Sequence, residues 1–258
     1  QLGDKGSATP YVNRDQHTPV VVLDSQGNAL TDMTYVAAGD NHSMAVTGTG
    51  MILSWGNNGS GQLGDGTLND SYNPIEVAGL TGVNAVQAIE DGSFAIKTDG
   101  NIYGWGNNGY GKLGTATVIN YRHPEILQGV NLQDNSRPML NLSAMRESRF
   151  GRGHGVAVAV DGSVWTWGSN RYGQLGDGTT INRLGSTQVL GISNVVAAAT
   201  GENHTVALKD DGTVWAWGDN GDGQLGIGST TRQTIPVQIQ GLTDIVAVKA
   251  ADNYTAAL

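Results

Sequence analysis

The chain has 258 residues, no cysteine, 14 basic against 23 acidic side chains and a formal net charge of −9. That composition excludes a disulfide framework and any thiolate nucleophile or metal site, and it lacks the Lys and Arg surplus with which nucleic-acid binders displace counterions from phosphates. Charged residues make up 14%, below the roughly 25% of an average soluble chain, and no apolar run approaches the roughly 18 residues of a membrane span.

In chain order, Gln1-Leu2-Gly3-Asp4 is the tail of a phrase that returns four times: Ser54-Trp55-Gly56 leading to Gly61-Gln62-Leu63-Gly64, Gly104-Trp105-Gly106 to Gly111-Lys112-Leu113-Gly114, Trp165-Thr166-Trp167-Gly168 to Gly173-Gln174-Leu175-Gly176, and Trp215-Ala216-Trp217-Gly218 to Gly223-Gln224-Leu225-Gly226. The step from Trp to Leu is the same each time (55 to 63, 105 to 113, 167 to 175, 217 to 225). An aliphatic residue closes an apolar stretch before each Trp: Val46, Ile96, Val158 and Leu208. The unit is about 50 residues long, and such a period signals a propeller, a solenoid or an array. The chain reads as one segment, 1–258, with repeat landmarks at 1–56, 57–106, 107–168, 169–218 and 219–258.

Within the unit from Ile192, Val195-Val196-Ala197-Ala198-Ala199 reads as a buried strand and His204-Thr205-Val206-Ala207-Leu208 as a second. Lys209-Asp210-Asp211-Gly212 makes a hairpin turn in which Gly supplies the positive φ. Thr213 to Trp217 alternates with period two and is a third strand. Ile235-Pro236-Val237-Gln238-Ile239 is the fourth, and its Pro places it at an outer edge, where no ladder donor is missed. Four short antiparallel strands per unit describe one blade of a β-propeller.

The phrases Ala-Ala-Gly-x-x-His-Ser (Ala37 to Ser43), Asp-Gly-x-Val-Trp-x-Trp-Gly (Asp161 to Gly168, Asp211 to Gly218) and Gly-Gln-Leu-Gly resemble the repeats of the RCC1 family, named for the regulator of chromosome condensation. The resemblance runs over essentially the whole chain and implies a seven-bladed propeller that binds partners through its faces. The expected fold is thus all-β, a β-propeller of four-stranded antiparallel blades. Seven units of about 50 residues exceed this length by roughly two repeats. The chain is therefore expected to be an excerpt of a longer polypeptide, with blades incomplete at both ends and open to association with another chain. The Asn-, Thr- and Gly-rich, Lys-poor composition suggests a secreted or surface-displayed bacterial protein.

Few residues offer chemistry. His42, His154 and His204 share one column of the repeat, with Gly92 and Tyr254 in the other units. Because Gly and Tyr substitute there, the column reads as a structural tie from strand to neighbouring backbone. Asp219-Asn220-Gly221-Asp222-Gly223 imitates a Ca²⁺ loop, but Arg171 occupies a ligand position in a sister copy and no Glu follows, so it reads as a turn. The tryptophans read as packing between blades. No cofactor is expected, no metal, and no catalytic set.

The unshared residues point elsewhere. Arg137, Arg146, Arg149 and Arg152 gather in the third unit, next to an insertion around 128–141. Counting back from the His column, Phe150 falls where Ala38, Ala88, Thr200 and Ala250 stand, and 146–152 replaces the small first strand. Arg is suited to carboxylate or phosphate partners and is enriched at interface hot spots. Arg137, Arg146, Arg149, Phe150 and Arg152 are accordingly the candidate partner-binding set, for a protein partner that is acidic. The leading reading is a non-enzymatic protein-interaction scaffold. The alternatives are guanine-nucleotide exchange on a small GTPase and a propeller that caps an enzyme as its inhibitor.

Overall fold

The structure is a computed structural model that describes residues 19–127, 143–144 and 153–258. Strands alternating in polarity and separated by glycine turns make one antiparallel sheet per repeat. The first sheet runs β1 (Met33–Ala38), β2 (His42–Thr47), β3 (Ile52–Gly56), β4 (Ser71–Glu76), and the second β5 (Val83–Ile89), β6 (Gly92–Lys97), β7 (Ile102–Gly106), β8 (Tyr121–Ile126). The third comprises β9 (Ser143–Ala144), β10 (His154–Val158), β11 (Val164–Gly168) and β12 (Arg183–Gln188). The fourth is β13 (Val195–Thr200), β14 (His204–Lys209), β15 (Val214–Gly218), β16 (Gln233–Gln238), and β17 (Val248–Ala251) pairs with β18 (Tyr254–Ala257). Every sheet follows chain order, and among the described residues the helical content is one 3₁₀ turn, Gly109–Gly111.

Two compact units are present; their described parts lie within Gln1–Thr98, Tyr103–Asn107 and Asn120–Glu125 for the first, and Asp99–Ile102, Asn108–Ile119 and Ile126–Leu258 for the second. In the first, Met44, Val46 and Ile52 pack against Val83, Val86 and Trp105 from the next sheet. In the second, Val156, Val158 and Val164 meet Val195, Ala198 and Trp217, and Val206, Leu208 and Leu225 meet Val248. Within each unit a sheet thus buries apolar side chains against its neighbour in the chain, and the fourth sheet does so towards both the third sheet and β17, the dependence expected of repeats that cannot stand alone.

The outer strand sits as its proline requires. The β15–β16 ladder pairs Ala216 with Val237, then shifts register before Gly218 meets Gln233, and Pro236 falls in that irregularity. Pro74 in β4 sits in the same break, between Ser54↔Ile75 and Gly56↔Ser71. A residue without an N–H is tolerated where the ladder is already interrupted. At residues 24–28 a hairpin forms, with Leu23 bridged to Ala29 and the Gly27 amide 3.1 Å from the Asp24 carbonyl.

One expectation is corrected. The first strand of the third sheet is β9, whose Ala144 pairs with Gly155 and Ser143 with Val156. Ala38 holds the equivalent place opposite Ser43 in the first sheet. Ala144, not Phe150, is therefore the residue paired in that column, and 146–152 lies outside the described residues. The counting assumed a constant turn before the His, whereas insertions in this repeat collect between strands.

Candidate functional site

Three histidines are buried at the starts of their strands. His42 lies at the start of β2 with Nε2 2.8 Å from Ser93 Oγ, and Ser93 Oγ donates to the Gln62 carbonyl at 2.8 Å. His154 reaches Thr205 at 2.9 Å and Thr205 donates to the Gln174 carbonyl at 2.8 Å. His204 reaches Thr255 at 3.0 Å and Thr255 donates to the Gln224 carbonyl at 2.9 Å. A carbonyl only accepts, so it takes the hydroxyl proton, and the imidazole must donate from Nε2. Each ring is thereby fixed as the neutral Nε2–H form, with a buried Nδ1 that finds no donor. Burial lowers His42 and His204 to about 4 and His154 to about 3. The column is structural, as expected, but it ties each strand to a hydroxyl one repeat further on rather than to backbone. No group of three metal-capable side chains occurs among the described residues.

Two of these carbonyls, Gln62 and Gln174, also receive a tryptophan, and a third tryptophan reaches the matching carbonyl of Lys112. Trp105 Nε1 donates to the Gln62 carbonyl at 2.9 Å, Trp167 to that of Lys112 at 2.8 Å and Trp217 to that of Gln174 at 2.9 Å. These three rings are fully buried, so they fill space between sheets and offer no stacking surface. The glycine after each Leu lets them approach: a Cβ on Gly176, at φ +69°, would stand 2.7 Å from Trp217 Nε1.

A second buried column is asparagine, whose sequence signal is only its constant spacing from the Trp. Asn58, Asn108, Asn170 and Asn220, three after each Trp, are fully buried. Each accepts through Oδ1 from the amide of the repeat's Leu (Leu63, Leu113, Leu175, Leu225) at 2.9–3.0 Å. Their Nδ2 groups hold the far side of the loop, as Asn170 does at Asp177 Oδ1 (3.0 Å) and the Thr179 carbonyl (3.2 Å). That two-sided bridge is why the Trp-to-Leu distance never varies. The Ca²⁺-like turn is closed in the same way: Asp219 Oδ1 accepts from the Asn220 amide at 2.9 Å, and Asp222 Oδ2 from Asn253 Nδ2 at 2.8 Å.

Several of the exposed apolar side chains lie on the turns and outer strands. Leu68 and Tyr72 are exposed in the first unit, and Tyr110, Val118, Ile119, Ile181, Leu184 and Ile235 in the second. Arg137, Arg146, Arg149, Phe150 and Arg152, with the insertion at 128–141, lie outside the described residues. Within them, a grouping that the sequence reading missed is Arg171, Tyr172 and Arg232, in which both guanidiniums flank the one ring. Its signal was present: Arg171 stands where sister turns have Gly59, Gly109 and Gly221, and Arg232 where they have Asp70, Asn120 and Asn182.

A family model described as the RCC1-like domain matches residues 1–258. The chain is 32% identical over 170 residues to human E3 ubiquitin-protein ligase HERC2, covering 65% of this chain and 3% of that relative. It is 31% identical over 192 residues to the ultraviolet-B receptor UVR8 of Arabidopsis thaliana, covering 74% of this chain and 41% of the relative. Among solved structures, human WBSCR16 superposes with a TM-score of 0.69 at 25% identity, over 90% of this chain and 60% of that one. Prp20p of Saccharomyces cerevisiae, described with its binding to Gsp1p and histones, superposes at 0.68 and 20% identity, over 87% and 55%. The chain thus spans well under half the length of the two curated relatives.

Proposed function

The chain belongs to the RCC1-like domain family, and on that footing we propose that it is a non-enzymatic protein-interaction scaffold, a β-propeller segment whose partner is a protein. One observation carries this reading. The recurrent His, Asn, Trp and hydroxyl side chains are engaged inside the sheets, whereas exposed apolar and basic side chains occupy columns that the repeats do not share. Architecture is common to all units and recognition is local, the division of labour usual in scaffolds that carry function on loops. A secreted or surface-displayed bacterial setting fits the Cys-free, Lys-poor composition. Recovery of the protein only from cytosol would contradict that placement.

The arginine-rich stretch Arg137, Arg146, Arg149 and Arg152, with Phe150, is proposed as one contact segment for an acidic partner. For a partner captured by crosslinking, Arg149→Ala is expected to weaken binding by about 1–2 kcal/mol or more with an unchanged melting temperature. A lowered melting temperature with unchanged binding would make the stretch structural. Guanine-nucleotide exchange on a small GTPase is the second reading, since Prp20p is described as binding Gsp1p, but at that identity the likeness carries the fold alone. Nucleotide release from candidate GTPases is expected to stay at its basal rate.

A further inference from the structure

Two guanidinium groups share one tyrosine ring in the second unit. Arg232 Cζ lies 4.9 Å from the Tyr172 ring centroid and Arg171 Cζ 5.8 Å, and Arg232 Nη1 donates to the Arg171 carbonyl at 3.4 Å. Both arginines are exposed and the ring is half-buried. The Tyr172 amide donates to Gln174 Oε1 at 2.9 Å, which anchors the turn carrying the ring. Cations within about 6 Å of an aromatic face are held by its quadrupole, so the ring organises two like charges that would otherwise repel. Arg183 shows the ordinary fate of an arginine here: its Nη2 is 2.7 Å from Asp177 Oδ2. Arg171 and Arg232 have no such carboxylate among the described residues, in a chain whose net charge is −9.

Arg232 also breaks a local rule. In sister turns this column supplies an acceptor to the buried Asn's amide: Asp70 Oδ1 for Asn58 and Asn182 Oδ1 for Asn170, each at 2.8 Å. A guanidinium cannot accept. Asp219 takes over, accepting from the Asn220 amide at 2.9 Å, in the column where the others have Asn57, Asn107 and Ser169. The loop is thereby kept while its shared acceptor is given up to an exposed cation. Departures from local consistency that are compensated nearby mark sites held for another purpose.

Segments tied to these turns carry exposed apolar side chains. The Ile181 carbonyl accepts from Asn170 Nδ2 at 3.1 Å, next to the Arg171 turn, and the Thr234 carbonyl accepts from the Gly178 amide at 3.0 Å. The side chains of Ile181 and Ile235 are 63% and 50% exposed. Arg and Tyr anchors beside exposed aliphatic residues have the make-up of an interface hot spot.

We propose that Arg171, Tyr172 and Arg232 form the docking site for an acidic segment of a protein partner, in which two nearby carboxylates meet the two guanidiniums and an adjacent apolar side chain lies against Ile181 or Ile235. Planar guanidiniums match carboxylates through paired hydrogen bonds. A long polyanion such as nucleic acid fits less well, because two cations in a net-acidic chain repay little counterion release. The site rests on the scaffold reading and gives it a location and a partner chemistry.

The test selects random short peptides on the immobilised full chain and measures the affinity of the enriched ones for wild type, Arg171→Ala/Arg232→Ala, Tyr172→Leu and the control Lys249→Ala. Enriched peptides are expected to carry neighbouring Asp or Glu beside an apolar residue. They should lose about tenfold or more in affinity on the double arginine variant, lose less on Tyr172→Leu, and be unchanged on Lys249→Ala, with all four proteins melting alike. Acidic peptides that bind the double variant as tightly as wild type would overturn this site while leaving the scaffold reading intact. Enriched peptides without acidic residues would overturn the partner chemistry. Absence of any enriched peptide would count against both the site and the scaffold reading.

Discussion

Burial holds the imidazoles of His42, His154 and His204 well below their ordinary value, at about 4, 3 and 4. A group whose pKa is depressed on folding takes up protons in the unfolded chain first. As the pH falls from about 6.5 towards 4, the unfolded state binds protons that the folded state refuses, and stability drops. With three such groups the slope approaches about 4 kcal/mol per pH unit in that window. Urea denaturation at stepped pH should show stability level above about pH 7.5 and falling from there down. A flat profile between pH 7 and 5 would mean that the rings are solvated, and the hydrogen-bonded relay described above would be wrong.

The element that ties one sheet to the next is the chain from His through hydroxyl to carbonyl, with a Trp indole on the same oxygen at Gln62 and Gln174. Sequence pattern read the strands well, because period-two alternation and glycine turns are local signals; β13 to β16 match the expected strands to within two residues at their ends. The relay was not legible. Its hydroxyls sit in strand positions that Ser and Thr fill for many reasons, and the partner is 51 residues away in each case. The columns do carry a trace of it: Gly92 lacks the imidazole and, one repeat on, Gly155 lacks the hydroxyl, so donor and acceptor are dropped together. Thr205→Val, which removes the hydroxyl but keeps the shape, should cost about 1–3 kcal/mol because His154 Nε2 is left buried and unpaired. Thr255→Val should cost less, since Thr255 is half-exposed where Thr205 is buried. Equal and negligible losses in chemical denaturation would show that the hydroxyls are incidental.

For the molecule as a whole, repeated residues make the sheets, and the proposed scaffold role falls to unrepeated ones. That division explains what was legible about the site. Odd residues in a column can be seen in the sequence, as Arg171 and Arg232 can, but their meeting over one ring across 61 residues depends on how successive turns stack and needed coordinates. The third unit shows the opposite failure, where counting from His154 placed Phe150 in a column that Ala144 fills. The most direct test measures melting temperature across two sets of single variants of the full chain. Trp217→Ala, His154→Ala and Asn170→Ala change buried, shared positions and should each lower it, by roughly 10 °C for the Trp variant. Arg171→Ala, Arg232→Ala and Ile235→Ser change exposed, unshared positions and should stay within about 1–2 °C of wild type. If the second set melts as early as the first, the unshared residues hold the fold together and are not free for a partner, which would contradict the scaffold reading at its root.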